Sequence, residues 1–306
     1  MPSVSVVVPA FNAERTVPDA LRSVLAQTFT DVEVIVIDDG SRDGTLAVVG
    51  EIADPRLRVA SFPNGGVATA RNHGIPLARG ELVAFIDADD RWTPDKLEAQ
   101  VAALARCPAA GAAYSWTVNV DEAGRERSRQ RPVFFEGDVL RELLVENFTC
   151  SGSNILVRRA AFESVGDFDT SLGVSEDWEL CVRLAARWPF ALVPRYQVLY
   201  RQMPGSVSRD PVVWEEHARR AIEQVFAGVP VELQPLKRRR LARYHLQCAH
   251  RWMTAADRDL SRAARALAQA ARHEPALVLD PTFQRVSARW LLTGLGRGFA
   301  SRRRRP

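Results

Sequence analysis

In the N-terminal part of the chain, short continuous apolar runs alternate with stretches whose apolar positions recur every three or four residues. Val4 to Val8, Val32 to Ile37 and Leu82 to Ile86 are β-branched or apolar at nearly every position, the pattern of strands covered on both faces of a parallel sheet. Leu57 to Ser61 reads as the third of four such strands. Between them, residues 13–27 set Val17, Leu21, Val24 and Leu25 on one helical stripe, and residues 65–78 do the same with Val67, Ala70, Gly74 and Leu77. Asp43 is placed to cap a helix over 44–52, and Thr93 followed by Pro94 predicts another helix start. Strands alternating with helices predict an α/β fold, Rossmann-like, with a mostly parallel open sheet and helices on both faces.

After Cys107 the pattern loosens. It predicts a strand near 111–118, a polar loop from Asp121 to Arg131, a helix over 138–146 and a short strand from Asn154 to Val157. Gly166 to Ser175 has no periodicity and is rich in Gly, Ser and Asp, which predicts a flexible loop. A helix from Glu176 to Arg187 and strands at 190–194 and 196–201 close a first domain over 1–205. The remainder, 206–306, is a second region. Residues 212–273 are helical in composition, broken near Pro230 and Pro235.

With 306 residues and 46% hydrophobic content, the chain can bury a packed core, which excludes a disordered or fibrous protein. The net charge of +4 hides an asymmetry: residues 230–306 hold 17 Lys and Arg against five acids, leaving 24 against 32 before them. The four cysteines stand far apart, without CxxC spacing, and read as buried free thiols in a reducing compartment. The opening MPSVSVVVPAF lacks a basic segment before a long apolar one, and no apolar run approaches the ~18 residues that cross a bilayer. A cytoplasmic protein without a membrane span is the expectation.

Ligands of open α/β sheets sit beyond the carboxyl ends of the strands, and the acids of this chain gather there. Asp38 and Asp39 follow the second strand, and Asp87, Asp89 and Asp90 follow the fourth. Asp87-Ala88-Asp89 offers the hard oxygens that Mg²⁺ or Mn²⁺ prefers, although by itself the pair reads as a solvated turn. Asp38-Asp39-Gly40 is by itself an Asp-Gly turn, yet acids at this place commonly bind sugar hydroxyls. Arg71, after Asn64-Gly65-Gly66, is either a cation for a diphosphate or a surface arginine.

Together these motifs resemble the nucleotide-sugar transferases of glycosyltransferase family 2, which have the GT-A fold. The resemblance rests on VSVVVPAFN at 4–12, VIVIDDGS at 34–41, GGVATARNHG at 65–74, LVAFIDADD at 82–90 and SEDWEL at 175–180. It implies that Pro9, Ala10 and Phe11 line a nucleobase pocket, Asp39 hydrogen-bonds the base, Asp87 contacts the ribose and Arg71 lies near the diphosphate. It further implies that Asp89 ligates Mn²⁺ or Mg²⁺ and that Asp177 is the catalytic base, while Glu176 either positions the acceptor or shares its helix end. Phe11 stands where the family often has Tyr, keeping the ring and losing a hydroxyl. His73 is either a phosphate contact or structural.

The expected activity is inverting, metal-dependent transfer of one sugar from a nucleoside diphosphate sugar, most often UDP-linked, to a hydroxyl of a glycan or lipid-linked acceptor. Processive relatives carry Gln-x-x-Arg-Trp and several membrane spans. Gln247 to Trp252 has one residue too many, which points to coincidence and to a single addition per encounter. A nucleotidyltransferase would carry a Gly-rich, basic loop after the first strand, and Pro9-Ala10-Phe11-Asn12 is neither. A non-catalytic sugar-nucleotide scaffold is disfavoured by the intact Asp87, Asp89 and Asp177.

The C-terminal region carries Lys237-Arg238-Arg239-Arg240 and ends in four arginines and a proline. Phe283, Val286, Trp290, Leu291 and Leu295 form a partly apolar face beside Arg285, Arg289 and Arg297, interrupted by glycines at 294, 296 and 298. Either this end docks on an anionic membrane surface, at the inner face of the plasma membrane, or it is a solvated tail on a packed helix. No nucleic-acid recognition motif accompanies the charge, so nucleic acid ranks last among partners.

Overall fold

The computed structural model describes residues 1–203, 206, 210–255 and 257–302, the side chains of 293–302 excepted. It divides into two compact units, one of Met1–Leu143 with Asn147–Met203, the other of Leu144–Glu146 with Pro204–Pro306.

The first unit is built on a nine-stranded mixed sheet in the order β3-β2-β1-β4-β8-β6-β9-β5, with β7 paired to β6. Strands β1 (Val4–Ala10), β2 (Val32–Asp38) and β4 (Leu82–Phe85) are buried at every position, which is why their sequences run apolar without alternation. With β3 (Leu57–Ser61) at the edge, they form the parallel half. Strand order reverses at β1, so the crevice for a ligand opens past Ala10 and Phe85.

Beyond β4 the sheet becomes mixed: β8 (Leu156–Arg158) is antiparallel to both β4 and β6 (Ala112–Val120), and β9 (Phe190–Arg201) is parallel to β6. The two strands expected at 190–194 and 196–201 are one. Pro194 sits at a register shift opposite Tyr114 to Trp116, where its missing N–H leaves the ladder intact. The polar stretch 121–131 contains β7 (Glu126–Arg129), and Arg91–Trp92 forms β5 on β9. Both escape a reading of apolar runs because they are short and polar.

Helices α1 (Val17–Leu25), α2 (Thr45–Gly50) and α3 (Val67–Gly74) fall within the expected segments. The start at Thr93-Pro94 does not hold: α4 runs from Lys96 to Arg106. Gln27 explains the shift, since its side chain accepts from Leu97 N at 2.9 Å and donates to Thr93 O at 2.7 Å, capping the helix from a distant segment. Further on lie α5 (Leu140–Val145), α6 (Arg159–Val165) and α7 (Glu176–Ala185).

The second unit consists mainly of α8 (Pro211–Ala227), α9 (Leu236–Thr254), α10 (Leu260–His273) and α11 (Pro281–Arg302). Asp210 and Asp259 cap α8 and α10. The run 237–240 is largely neutralised: Lys237 pairs with Glu223, Arg239 with Glu274, Arg238 donates to His273 O, and Arg240 is buried. On α11, Val286 is buried and the Trp290 indole donates to Leu260 O, so that stripe packs inward, leaving Leu291 and Leu292 exposed. The side chains of Leu295 and Arg297, and residues 303–306, lie outside the described residues. Cys181 and Cys248 are buried as expected, but Cys107 is half-buried and Cys150 is exposed.

Candidate active site

Three loops meet past the carboxyl ends of β1, β2 and β4. Pro9 and Ala10 end β1, and Phe11 presents a ring that is 48% exposed. Asn12 takes a left-handed conformation, which lets its amide accept from Arg42 N at 2.8 Å and its own N–H donate to the Ser41 hydroxyl. The β1 and β2 loops are thereby joined. Gly40 has φ +74°, and a Cβ there would stand 2.9 Å from Asn64 N. The turn therefore requires glycine, and it brings Asp39 over the loop 64–66. The Asp39 carboxylate accepts from Asn64 Nδ2, Gly65 N and Gly66 N at 2.8–2.9 Å, while Asp38 accepts from Ser41 N.

The acids after β4 separate by environment. Asp90 is fully buried, accepting from the Ser153 hydroxyl at 2.6 Å and from Arg201 N at 2.9 Å; burial and its acidic neighbours push its carboxyl up. Asp87 is partly exposed, with its N–H donating to Ser153 Oγ and its carboxylate accepting from Arg71. Asp89 is also partly exposed, and burial together with the charge of Asp87 pushes its carboxyl up to about 6. Its backbone carbonyl accepts from Arg201 Nε at 2.8 Å.

Arg71 does not lie on the surface. Its side chain is 2% exposed, with Nη2 donating to Asp87 Oδ1 and Nη1 to Glu176 Oε1, each at 2.6 Å. Phe168 covers the guanidinium at 5.2 Å, and a Cβ on Gly152 would stand 2.8 Å from Nη2. Burial opposes the charge, but Asp87, Glu176 and Asp177 outweigh it and keep the cation firmly protonated. Glu176 and Asp177 open α7 behind Ser175. Glu176 is buried, and burial pushes its carboxyl up against the pull of Arg71. Asp177 is partly exposed and accepts from Trp178 N; burial and the adjacent Glu176 push its carboxyl up to about 7, while Arg71 pulls it down.

The structure brings Arg71, Asp87, Glu176 and Asp177 into one charge cluster, with Asp89 two residues along. Pro9, Ala10, Phe11 and Asp39 stand at the neighbouring strand ends. His73 is instead stacked flat on Phe62 at 4.0 Å, a structural position.

Sequence reasoning missed several supports. Asn72 accepts from Phe168 N at 3.0 Å and donates to Phe168 O at 2.9 Å. Phe168 and Leu172 are buried, so the 166–175 segment is pinned at its base rather than free along its length. Ser153 bridges Asp87 and Asp90, and Arg201 ties the end of β9 to Asp89 and to Glu122 O. The signal was the run of small polar residues Thr149 to Asn154 directly before a strand, where a buried polar loop is needed to hold acids in place.

The family model of Glycosyl transferase family 2 matches residues 5–166, more than half of the chain. The chain belongs to that family. The succinoglycan biosynthesis protein ExoO of Rhizobium meliloti is 35% identical over 225 residues, covering 68% of this chain and 63% of that protein. The chain thus spans less than two thirds of that curated relative. Two solved structures share the architecture of this family 2 chain. One is Staphylococcus aureus TarS 1-349 in complex with UDP, at TM-score 0.64 and 20% identity, covering 94% of this chain and 87% of that one. The other is the mannosyltransferase PcManGT of Pyrobaculum calidifontis in complex with GDP-Man and Mn²⁺, at TM-score 0.60 and 23% identity, covering 96% and 86%. They establish the GT-A fold.

Within this family 2 chain, Arg251 stacks on Trp214 at 4.2 Å and the Trp252 indole donates to Glu215, so both pack the helical unit. No helix among the described residues is long and apolar enough to cross a membrane. Among those residues no group of three His, Cys, Asp or Glu side chains is arranged as a metal site.

Proposed function

We propose that this chain is an inverting, metal-dependent glycosyltransferase that moves one sugar from a UDP-sugar to a hydroxyl of a glycan or lipid-linked acceptor. The observation that carries the reading is the position of Asp177: a partly exposed carboxylate in the first turn of α7, in one charge cluster with Arg71, Asp87 and Glu176, pushed up to about 7 by burial and by Glu176. That value suits a general base at neutral pH. Glu176 beside it is held by Arg71, which leaves Asp177 as the base of the pair.

Asp177 takes the proton of the acceptor hydroxyl as that oxygen attacks the anomeric carbon opposite the diphosphate. One base and one in-line displacement invert the anomeric configuration. Asp87 contacts the ribose, while Pro9, Ala10 and Phe11 line the nucleobase. Three of the about four lone-pair sites of the Asp39 carboxylate are taken by the 64–66 loop, leaving one for the base edge.

Asp89 fits a divalent cation in kind, since it is a hard oxygen donor whose charge is disfavoured by burial and by Asp87. Mg²⁺ or Mn²⁺ held by one carboxylate and the substrate's own phosphates needs no cage of three side chains. When bound, the cation neutralises charge growing on the leaving diphosphate. The Mn²⁺ and the nucleotides named with PcManGT and TarS support this assignment. The name of the Rhizobium relative supports an acceptor in polysaccharide synthesis.

Exposed Leu279, Leu291 and Leu292, close in sequence to Arg285, Arg289 and the terminal arginines, support peripheral docking at the cytoplasmic face of an anionic membrane, where lipid-linked acceptors lie. The deciding experiment titrates UDP, GDP and dTDP into the protein by calorimetry, each with Mn²⁺ and with EDTA. Binding of UDP that requires Mn²⁺ is expected and should vanish in Asp89→Ala. No binding of any of the three would overturn the reading.

A further inference from the structure

We infer that Arg71 is a positioning residue: it braces the helix that carries the base against the donor-side carboxylate, and it does not touch the diphosphate. The inference rests on the assignment of Asp177 as the base. The guanidinium is enclosed, with Asp87 and Glu176 on its two Nη groups, Phe168 over it and Gly152 packed close against Nη2. Its Nε is buried without a partner among the described residues. A diphosphate could be reached only by breaking one of two 2.6 Å ion pairs in a site where an uncompensated carboxylate is costly.

Glu176 is the first residue of α7 and Asp177 the second, so a fixed Glu176 fixes the start of the helix that presents the base. Asp87 stands two residues from Asp89 on the donor side. The planar fork of Arg71 spans the two carboxylates across α3, the turn after β4 and α7, which a single ammonium cannot do. Asn72, the next residue, clamps Phe168 at both N–H and C=O and so fixes the lid of the same guanidinium. Adjacent side chains of one helix turn thus hold both segments that border the base.

The test compares Arg71→Lys, Glu176→Ala and the double variant in the full chain, by calorimetric UDP binding with Mn²⁺ and by UDP release from UDP-sugars across pH. Each single variant should bind UDP within about threefold of the parent while kcat falls about 100-fold, the scale of a misplaced catalytic group. The double variant should be no slower than the slower single, because both break one contact.

The titratable and charged groups facing Asp177 are Glu176 and the buried thiol of Cys181 on its own helix, Arg71 on α3 and Asp87 after β4. Removing Glu176 should therefore move the acid limb of the rate profile to lower pH, which a merely structural defect would not do. A tenfold or greater loss of affinity for UDP with no matching loss for uridine in Arg71→Lys alone would make Arg71 a diphosphate ligand and overturn the inference, as would an unchanged kcat in either variant. If Arg71→Lys does not fold, Glu176→Ala carries the same test. Undiminished turnover in Asp177→Asn would instead refute the base assignment, whatever the Arg71 variants do.

Discussion

The sharpest consequence of the site is a pH dependence with a definite sign. As the proposed base, Asp177 would have to be ionised to accept a proton, and its carboxyl is pushed up to about 7 by burial and by Glu176, with Arg71 opposing. Activity should therefore be lost as pH falls through about 7. At pH 6 about a tenth of the carboxylate would be ionised and at pH 8 about nine tenths, so kcat/KM should rise about tenfold between them. An ordinary carboxylate near ~4 would give a flat profile over that interval.

The assay is UDP release from a UDP-sugar, with acceptor or with water, at fixed saturating Mn²⁺. Asp177→Asn preserves the shape of the side chain and the acceptor atom for Trp178 N, so the site should still bind UDP. It removes the proposed base, and turnover should fall by about 10²- to 10⁴-fold. A flat profile between pH 6 and 8 in the parent, or near-normal turnover in the variant, would refute the reasoning.

Two further predictions concern what holds the site. Asn72→Ala removes both bonds to Phe168 and leaves a buried backbone N–H and C=O unpaired, so stability should fall by about 2 kcal/mol in urea unfolding and cleavage within 166–175 by a protease should speed up. At the amino ends of the strands, away from the site, buried Glu33 of β2 accepts from Ser5, from Arg79 N and Nε and from Arg58. Burial opposes its charge, but these bonds prevail and hold its carboxyl below the usual value. Its stabilisation is therefore present above the ordinary carboxylate range and lost as pH falls through the lower folded value. Glu33→Ala should cost about 3 kcal/mol at pH 7, at the low end for a buried pair because both arginines are half exposed, and less at pH 3.

The parallel half of the sheet was legible because β1, β2 and β4 are buried on both faces, so each leaves an unbroken apolar run. The acids were legible for the same reason, since the chain turns polar where a strand leaves the core. What could not be read is whatever depends on a partner far along the chain. Arg71 and Glu176 stand 105 positions apart, and nothing local in either segment points to the other. Gly166 to Ser175 looks loose by composition, but Phe168 and Leu172 are anchors whose burial depends on α3 and the sheet. The basic run at 237–240 looks like an exposed patch until its acids arrive from α8 and from Glu274 after α10.

The charge balance of the site also bears on the proposed requirement for a divalent cation. Asp87, Glu176 and Asp177 surround one enclosed guanidinium, Asp89 stands two residues beyond Asp87, and a second cation, Arg201, is bonded to Asp89 O, Glu122 O and Asp19. If Arg71 serves two carboxylates, the donor's diphosphate meets a surface of its own sign. Electrostatics alone would then repel the substrate, and more strongly in a partly dehydrated cleft than in water. A divalent cation held by Asp89 would reverse that sign at the diphosphate while leaving Asp177 to act as the proposed base. In the proposed mechanism, enclosing Arg71 and requiring a metal are therefore two sides of one arrangement: the fixed cation braces the base, and the exchangeable one meets the phosphates.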